Sequence, residues 1–370
     1  QINDLQAAWK WACHQANIPL LGGGLSGLCM YYEMRVRYQE GEQACQAGLA
    51  ALPAVAEQQS AAGILSARLL LWRANFLTLA GELEAARNLR QQAGELLDLL
   101  EAQGLDTRRP RAMYWQAEGE AQVELKSKLG CYQRGIALYQ ALGDSWRQAG
   151  MLVWAGEYAM RLGESKLAIS YQQEALRLAR LVGEPGVLLN CLRQSTYLYL
   201  LLSQFETAYG LMHEAGTILE SVDELPLRAT AQMHLGMQYN HCGRFLDAVQ
   251  ILEQSVPVLR SLGYRYGAVY GLNALGFARI MKGEFEHGET IVRDGFSMAE
   301  QGGFLREAAV ALEWIGLSAL ALGHVDQALL NLCEVVERYR RMQFAGELSM
   351  ALGGLALAQV VAAQIESARV

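Results

Sequence analysis

Three glycines, Gly22, Gly24 and Gly27, spell G-x-G-x-x-G, a spacing that lets backbone approach a pyrophosphate. That chemistry needs a strand just before the glycines. The preceding AWKWACHQAN has helical spacing instead, so the glycines are expected to form a loop, a flexible joint, and no dinucleotide site. No G-K-[ST] follows, which removes a phosphate-binding loop of the ATPase kind. His234 and His241 are seven residues apart and share a helix face. A zinc pair more typically stands four apart with a third ligand, so these imidazoles are expected to line a surface. Cys242, beside His241, lies on another face, which leaves no thiol–imidazole pair. Glu157 and Glu313 are isolated carboxylates with no partner at catalytic spacing. No catalytic residue, metal or cofactor is expected, and the chain reads as a non-enzyme.

Composition narrows the class further. The 370 residues carry 31 Lys and Arg against 38 Asp and Glu, a net charge of −7. Direct nucleic-acid binding needs a basic surface, so none is expected. A hydrophobic share of 52% with 19% charged residues is too apolar for disorder. No stretch of about 18 residues reads as free of polar side chains, so no membrane span is expected. No basic segment precedes an apolar core at the start, which removes a signal peptide. The seven cysteines are odd in number and unclustered, so they read as small core residues in a reducing, cytoplasmic compartment.

The elements that must position any site follow from a period. Gly163, Ser203, Gly243, Gly283 and Gly323 are each 40 residues apart, followed by GESKLA, SQFETA, GRFLDA, GEFEHG and GHVDQA. A small residue recurs five places later (Ala168, Ala208, Ala248, Gly288, Ala328) and another seven places earlier (Gly156, Thr196, Gly236, Gly276, Gly316). A second break falls halfway, at Gly183, Asp223, Gly263, Gly303 and Gln343. Apolar residues recur at helical spacing on both sides, as in Leu272, Leu275, Phe277 and Ile280. Each period is therefore read as two helices joined by a left-handed turn, with small residues where their axes come close. One such pair has too little core to stand alone, so neighbours must stack. Weaker copies open at Val36, Gly81, Val123 (where Lys128 replaces the small residue) and Ala363. The chain stops inside what should be a second helix, and it begins at Gln1. It is expected to be cut from a longer protein.

The frame small–x6–Gly–x–aromatic–x2–Ala, filled by Gly236, Gly243, Phe245 and Ala248 with Tyr239 mid-helix, resembles the tetratricopeptide repeat (TPR). The repeat here is 40 residues rather than the family's usual 34, and the closing proline is missing. The resemblance implies an all-α fold, a right-handed α-α superhelix of about eight helix pairs, with an N-terminal helix and a truncated last unit. Residues 1–21 would be a capping or linker helix and 22–370 the superhelical domain. Its units would be 25–57, 60–104, 108–143, 146–183, 186–223, 226–263, 266–303, 306–343 and the truncated 346–370. The longer form is similar to repeats of kinesin light chains, of spindle adaptors, and of the sensor arms of bacterial signal-transduction (STAND) ATPases. Leu5, Ala7, Ala8 and Trp11, then Arg37, Glu40 and Gly41, resemble the junction where such an arm leaves its ATPase.

In this family the first helix of each unit lines the concave groove, at positions two, three, six, ten and thirteen before the turn glycine. That implies a ligand surface of Asn190, Arg193 and Tyr197, then Met233, Met237, Asn240 and His241, then Tyr270, Asn273 and Phe277, then Glu313. Arg68, Asn75, Glu157 and Arg161 fill the same places upstream. Asn can bond a peptide backbone in both senses, aromatics supply anchor area and Met adapts its shape. The ligand surface is expected to take a peptide, a protein loop or a small inducer, beside contacts with the rest of the parent chain. The alternative is a constitutive adaptor that scaffolds protein partners. Trp72, Trp154 and Trp314 are expected in the core. Arg108, Arg109, Arg111, Lys126 and Lys128 read as a solvated joint or a basic binding patch.

Overall fold

Each turn glycine sits where the backbone requires one. Gly163, Gly243, Gly283 and Gly323 have φ between 71° and 84°, a region that side chains with a Cβ enter at a cost. The N–H just after the glycine then returns to the helix, as in Arg244 to the Tyr239 carbonyl at 2.9 Å and His324 to that of Ala319 at 2.8 Å. Ser203 makes the same turn at φ 57° without being glycine. Ser203→Gly is therefore expected to raise the unfolding free energy by about 0.5–1 kcal/mol in urea titrations. A loss would mean that the Ser203 side chain stabilises the turn by more than its strain.

The structure is a computed structural model that describes residues 2–34, 37–52, 60–342 and 344–368, and these hold helices and turns with no strand. It divides into two compact bodies, Gln1–Leu198 and Tyr199–Val370. The first holds α1 (Ile2–His14), α2 (Ile18–Met34), α3 (Tyr38–Ala50), α4 (Ser60–Leu79), α5 (Leu83–Ala102), α6 (Arg108–Ala121), α7 (Leu125–Ala141), α8 (Ser145–Arg161) and α9 (Ser165–Val182). The division falls near the end of α10 (Pro185–Leu201). The second body holds α11 (Phe205–Glu220), α12 (Leu225–His241), α13 (Phe245–Ser261), α14 (Arg265–Met281), α15 (Phe285–Gly302), α16 (Leu305–Ala321), α17 (Val325–Met342) and α18 (Ala345–Ala368). Here the first helices α12, α14, α16 and α18 contact one another in order, and each of α13, α15 and α17 packs between its neighbours in sequence. This is the all-α helix-pair stacking of a tetratricopeptide-type solenoid.

The small residues hold the pairs together by what they leave out. A Cβ on Gly236 would lie 2.5 Å from Leu252 Cγ, and one on Gly316 2.9 Å from Leu332 Cγ. α14 and α15 cross with glycine on both sides. A Cβ on Gly276 would meet the Gly288 carbonyl at 2.9 Å, and one on Gly288 the Gly276 carbonyl at 2.8 Å. At Gly156 the vacated space holds the buried Gln172, which donates to the Val153 carbonyl at 3.0 Å and accepts from Ser195 at 3.2 Å. Lys128, the exception among small positions, reaches back along α6 instead. Its ammonium donates to the Glu120 carbonyl at 3.0 Å and that of Gly119 at 3.3 Å, closing carbonyls at the helix end.

Several expectations change. The G-x-G-x-x-G glycines are no loop: they lie inside α2, which runs through residues 21 and 22. Apolar Leu21, Leu25 and Leu28, all wholly buried, set a helical stripe that the packing of α2 rewards despite the glycines. Ala363 makes no turn, since α18 continues to Ala368. Alanine propagates a helix well and gains nothing at positive φ. Gly346–Ile365 of α18 has a mean hydropathy of 1.7 and by length and composition could cross a membrane, contrary to the sequence reading. Its glutamines, Glu347 and Ser349 are too few to offset the Leu, Val and Ala around them. One stripe of this helix, through Ala351 and Ala358, is buried. Val36 and Gln343, two of the expected breaks, lie outside the described residues.

Candidate functional site

Helix periodicity sorts the candidate groove positions into two sets. In the second body, residues two, six and thirteen before the turn glycine keep solvent contact: His241, Met237 and Thr230 on α12, Met281, Phe277 and Tyr270 on α14, Ala321, Leu317 and Val310 on α16. Residues ten before it (Met233, Asn273, Glu313) are buried, as is Asn240. The exposed set lies away from the small position that faces the second helix, and Phe245 at the start of α13 reaches its edge.

Asn240 and Asn273 are thus buried between first helices rather than open to solvent. Asn240 Nδ2 donates to the Ala274 carbonyl at 2.8 Å and Asn273 Nδ2 to the Glu307 carbonyl at 3.0 Å. Each bond ties one first helix to the next, α12 to α14 and α14 to α16. Met233 is core, packed with Leu252 and Leu275. The residue nine before the glycine is a surface position that the family frame leaves out. His234 and Trp314 are half-buried there, and Trp154 of the first body is 39% exposed rather than in the core. Counting thirteen, nine, six and two back gives spacings of four, three and four, a single stripe, and that is the signal the sequence offers. Trp72 is half-buried like Trp314.

The stripe on α12, α14 and α16 is continuous and aromatic. Phe277 and Trp314 meet with ring centroids 4.4 Å apart, and Phe245 closes edge-on to Phe277 at 5.9 Å. Tyr270 and Tyr266 follow at 5.6 Å. None of the twelve stripe positions from Thr230 to Ala321 is Asp, Glu, Lys or Arg, in a chain of net charge −7. Charge sits at the edge: Arg306 bonds Glu347 at 2.9 Å, and Tyr266 Oη donates to Glu307 at 3.1 Å. Such a surface offers aromatic and sulfur contact area with imidazoles as polar points.

Glu313 lies below it, 7% exposed, accepting one hydrogen bond from Tyr339 Oη at 3.2 Å. Burial pushes its carboxyl up to about 6, with the Tyr339 bond opposing and Glu347 adding to the rise. A raised carboxyl pKa means stability is fully present below the unfolded value and is lost as pH rises through about 6. The loss is on the order of 2 kcal/mol. Glu313→Gln should therefore unfold at higher urea than the native chain at pH 7.5, and the gap should close at pH 4.5. A gap independent of pH would remove Glu313 as its source.

In the first body Asn190 and Arg193 turn to each other at 2.9 Å, and Tyr197 is exposed. Arg161 and Arg193 pull the Glu157 carboxyl down against the larger upward push of burial. Arg68 and Asn75 reach from α4 to α2, to the Gly22 carbonyl at 3.1 Å and to Glu33 at 3.3 Å. The basic segment is largely paired: Arg109 with Asp144 at 2.7 Å, Arg108 with Asp106 at 2.6 Å, and Arg111 with Glu101 at 2.8 Å. Among the described residues no group of three His, Cys, Asp or Glu is placed to hold a metal. Cys29, Cys45, Cys131 and Cys191 are buried, whereas Cys333 is exposed.

No family model matches the sequence, and no curated protein matches it either. Solved structures share its fold at low identity. The apo form of RapI is 14% identical with a TM-score of 0.61, covering 93% of this chain and 99% of that one. A Rap protein complexed with competence and sporulation factor is 12% identical with a TM-score of 0.56, covering 94% and 99%. A Signal Transduction ATPase with Numerous Domains from Pyrococcus horikoshii, which carries a tetratricopeptide repeat sensor, is 12% identical with a TM-score of 0.53. The match covers 87% of this chain but only half of that protein. The fold is therefore of the tetratricopeptide type.

Proposed function

We propose that this chain is a binding module, the sensor arm of a larger cytoplasmic, bacterial signalling ATPase or transcriptional regulator. It holds a peptide inducer against the first helices and does no chemistry itself. The observation that carries the reading is the uncharged aromatic stripe through Met237, Tyr270, Phe277 and Trp314, left open while the surrounding positions are packed. A continuous run of half-buried aromatic side chains of this kind is a surface that a partner can cover with gain. A Rap protein of similar fold has been crystallised with competence and sporulation factor, and the Pyrococcus ATPase uses its repeat as a sensor. Both support the reading by analogy of fold. The ligand favoured by the stripe is a peptide with apolar or aromatic side chains and few charges.

A sensor needs a ligand with different affinity for two states. Solution scattering of the chain with and without bound peptide should show a change in shape. An unchanged profile at saturation would favour the constitutive adaptor. Reading the gene on both sides tests the parent: a nucleotide-binding domain is expected upstream, and its absence would remove the ATPase.

A further inference from the structure

Consecutive second helices in the second body are joined by ion pairs that share one register on their first member, position 260 and its match at 300, and differ by one helical turn on the second. Arg260 of α13 meets Asp294 of α15 at 2.7 Å, and Glu300 of α15 meets Arg338 of α17. One period earlier, the residues matching Arg260 and Asp294 are Glu220 on α11 and Gln254 on α13. They form no such pair, and here a cleft of about 510 Å³ opens between α11, α12 and α13. Gly216, with nothing near its missing side chain, widens the mouth.

The lining has a definite chemistry. Leu219, Leu235, Ile251 and Val258 form an apolar wall. Glu220 and Arg228 face the cleft with opposite charge and without an ion-pair partner among the described residues, whereas Asp247 at the rim is held by Arg244 at 2.8 Å. Gln232 donates to Gln254 at 3.2 Å, presenting carboxamides between the charges and the wall. The cleft lies on the second-helix side of α12 and shares none of the aromatic stripe.

We propose that this cleft is a second binding site, for a small zwitterion of amino-acid or dipeptide size with an aliphatic side chain. Arg228 takes the carboxylate, Glu220 the ammonium group, and Leu219, Ile251 and Val258 the side chain. A volume of about 510 Å³ suits a ligand of this size. The site is independent of the peptide stripe and does not rest on that reading.

Calorimetric titration with L-leucine and with leucyl-leucine tests it, beside N-acetyl-leucine amide, which has neither charge. Saturable binding of either zwitterion and none of the amide is expected, and which zwitterion binds tighter fixes the size class. Arg228→Gln and Glu220→Gln should each raise Kd at least tenfold in a chain of native circular dichroism. The double variant Glu220→Arg with Gln254→Asp copies the Arg260–Asp294 pair into this register. It should close the cleft and abolish binding. Tyr270→Ala, on the stripe, should leave Kd unchanged. Absence of saturable binding by both zwitterions would overturn the proposal, as would equal binding of the amide or an unaltered Kd in the charge variants.

Discussion

Gly276→Leu should lower the unfolding free energy by about 3 kcal/mol or more, the largest single effect expected on this fold. The cause is local and rigid. The first added carbon already falls 2.9 Å from the Gly288 carbonyl, and backbone on the facing helix cannot swing aside as a side chain end can. Even Gly276→Ala should lose stability, although alanine in a helix interior gains about 1 kcal/mol over glycine by propensity alone. The contrast is Gly210 of α11, which is helical and exposed, and a Cβ added there would have nothing within 4 Å. Gly210→Ala should be stabilising by about 0.5–1 kcal/mol. Denaturant titrations of the three variants separate crossing from propensity. Equal shifts at 276 and 210 would mean that the helices do not approach as described.

Asn240→Ala is the second large effect, and it reverses the expectation drawn from sequence. A groove residue would lose ligand and keep its melting temperature. Asn240 is instead 8% exposed and spans from α12 to the Ala274 carbonyl on α14. Removing it deletes a buried inter-helix bond and leaves a void between two first helices, for a loss of about 1–3 kcal/mol. Asn273→Ala should act alike one unit on, through the Glu307 carbonyl. Thermal melts decide between the readings: a falling midpoint marks the structural role, and an unchanged midpoint with weakened ligand binding restores the groove.

These two residue types show how far the sequence could be read. Turn glycines and small crossing residues recur at fixed intervals because a backbone angle or a close approach tolerates little else, so Gly243 and Gly276 announce themselves. Ser203 and Lys128 keep their places only because the local geometry offers another solution, a strained turn in one case and a carbonyl clasp in the other. Which polar side chains face a ligand is harder. Asn240, Asn273 and Glu313 recur at positions that face solvent or the next helix within a rotation of about 100°, the step of a single residue. Only the placement of the neighbouring first helix decides. Tryptophan usually packs, which suggests a core place for Trp154 and Trp314, yet their spacing to Glu157 and Leu317 puts them on the open stripe. In α2, buried leucines outweigh a glycine pattern that reads as a loop. The uneven lining of the cleft beside Glu220 is legible only by comparing ion pairs one period apart.

The reading as a binding module rests on which face of the first helices meets a partner. A peptide array rich in apolar and aromatic sequences, probed with the intact chain, would supply a ligand, whose Kd is then measured by fluorescence anisotropy. Phe277→Ala and Trp314→Ala should each weaken it at least tenfold, the size of an aromatic hot spot. Leu246→Ala and Leu330→Ala, at exposed positions of the second helices α13 and α17, should leave it within about twofold. If the leucine variants lose the peptide and the aromatic variants keep it, the ligand sits on the other face and the proposed site is wrong.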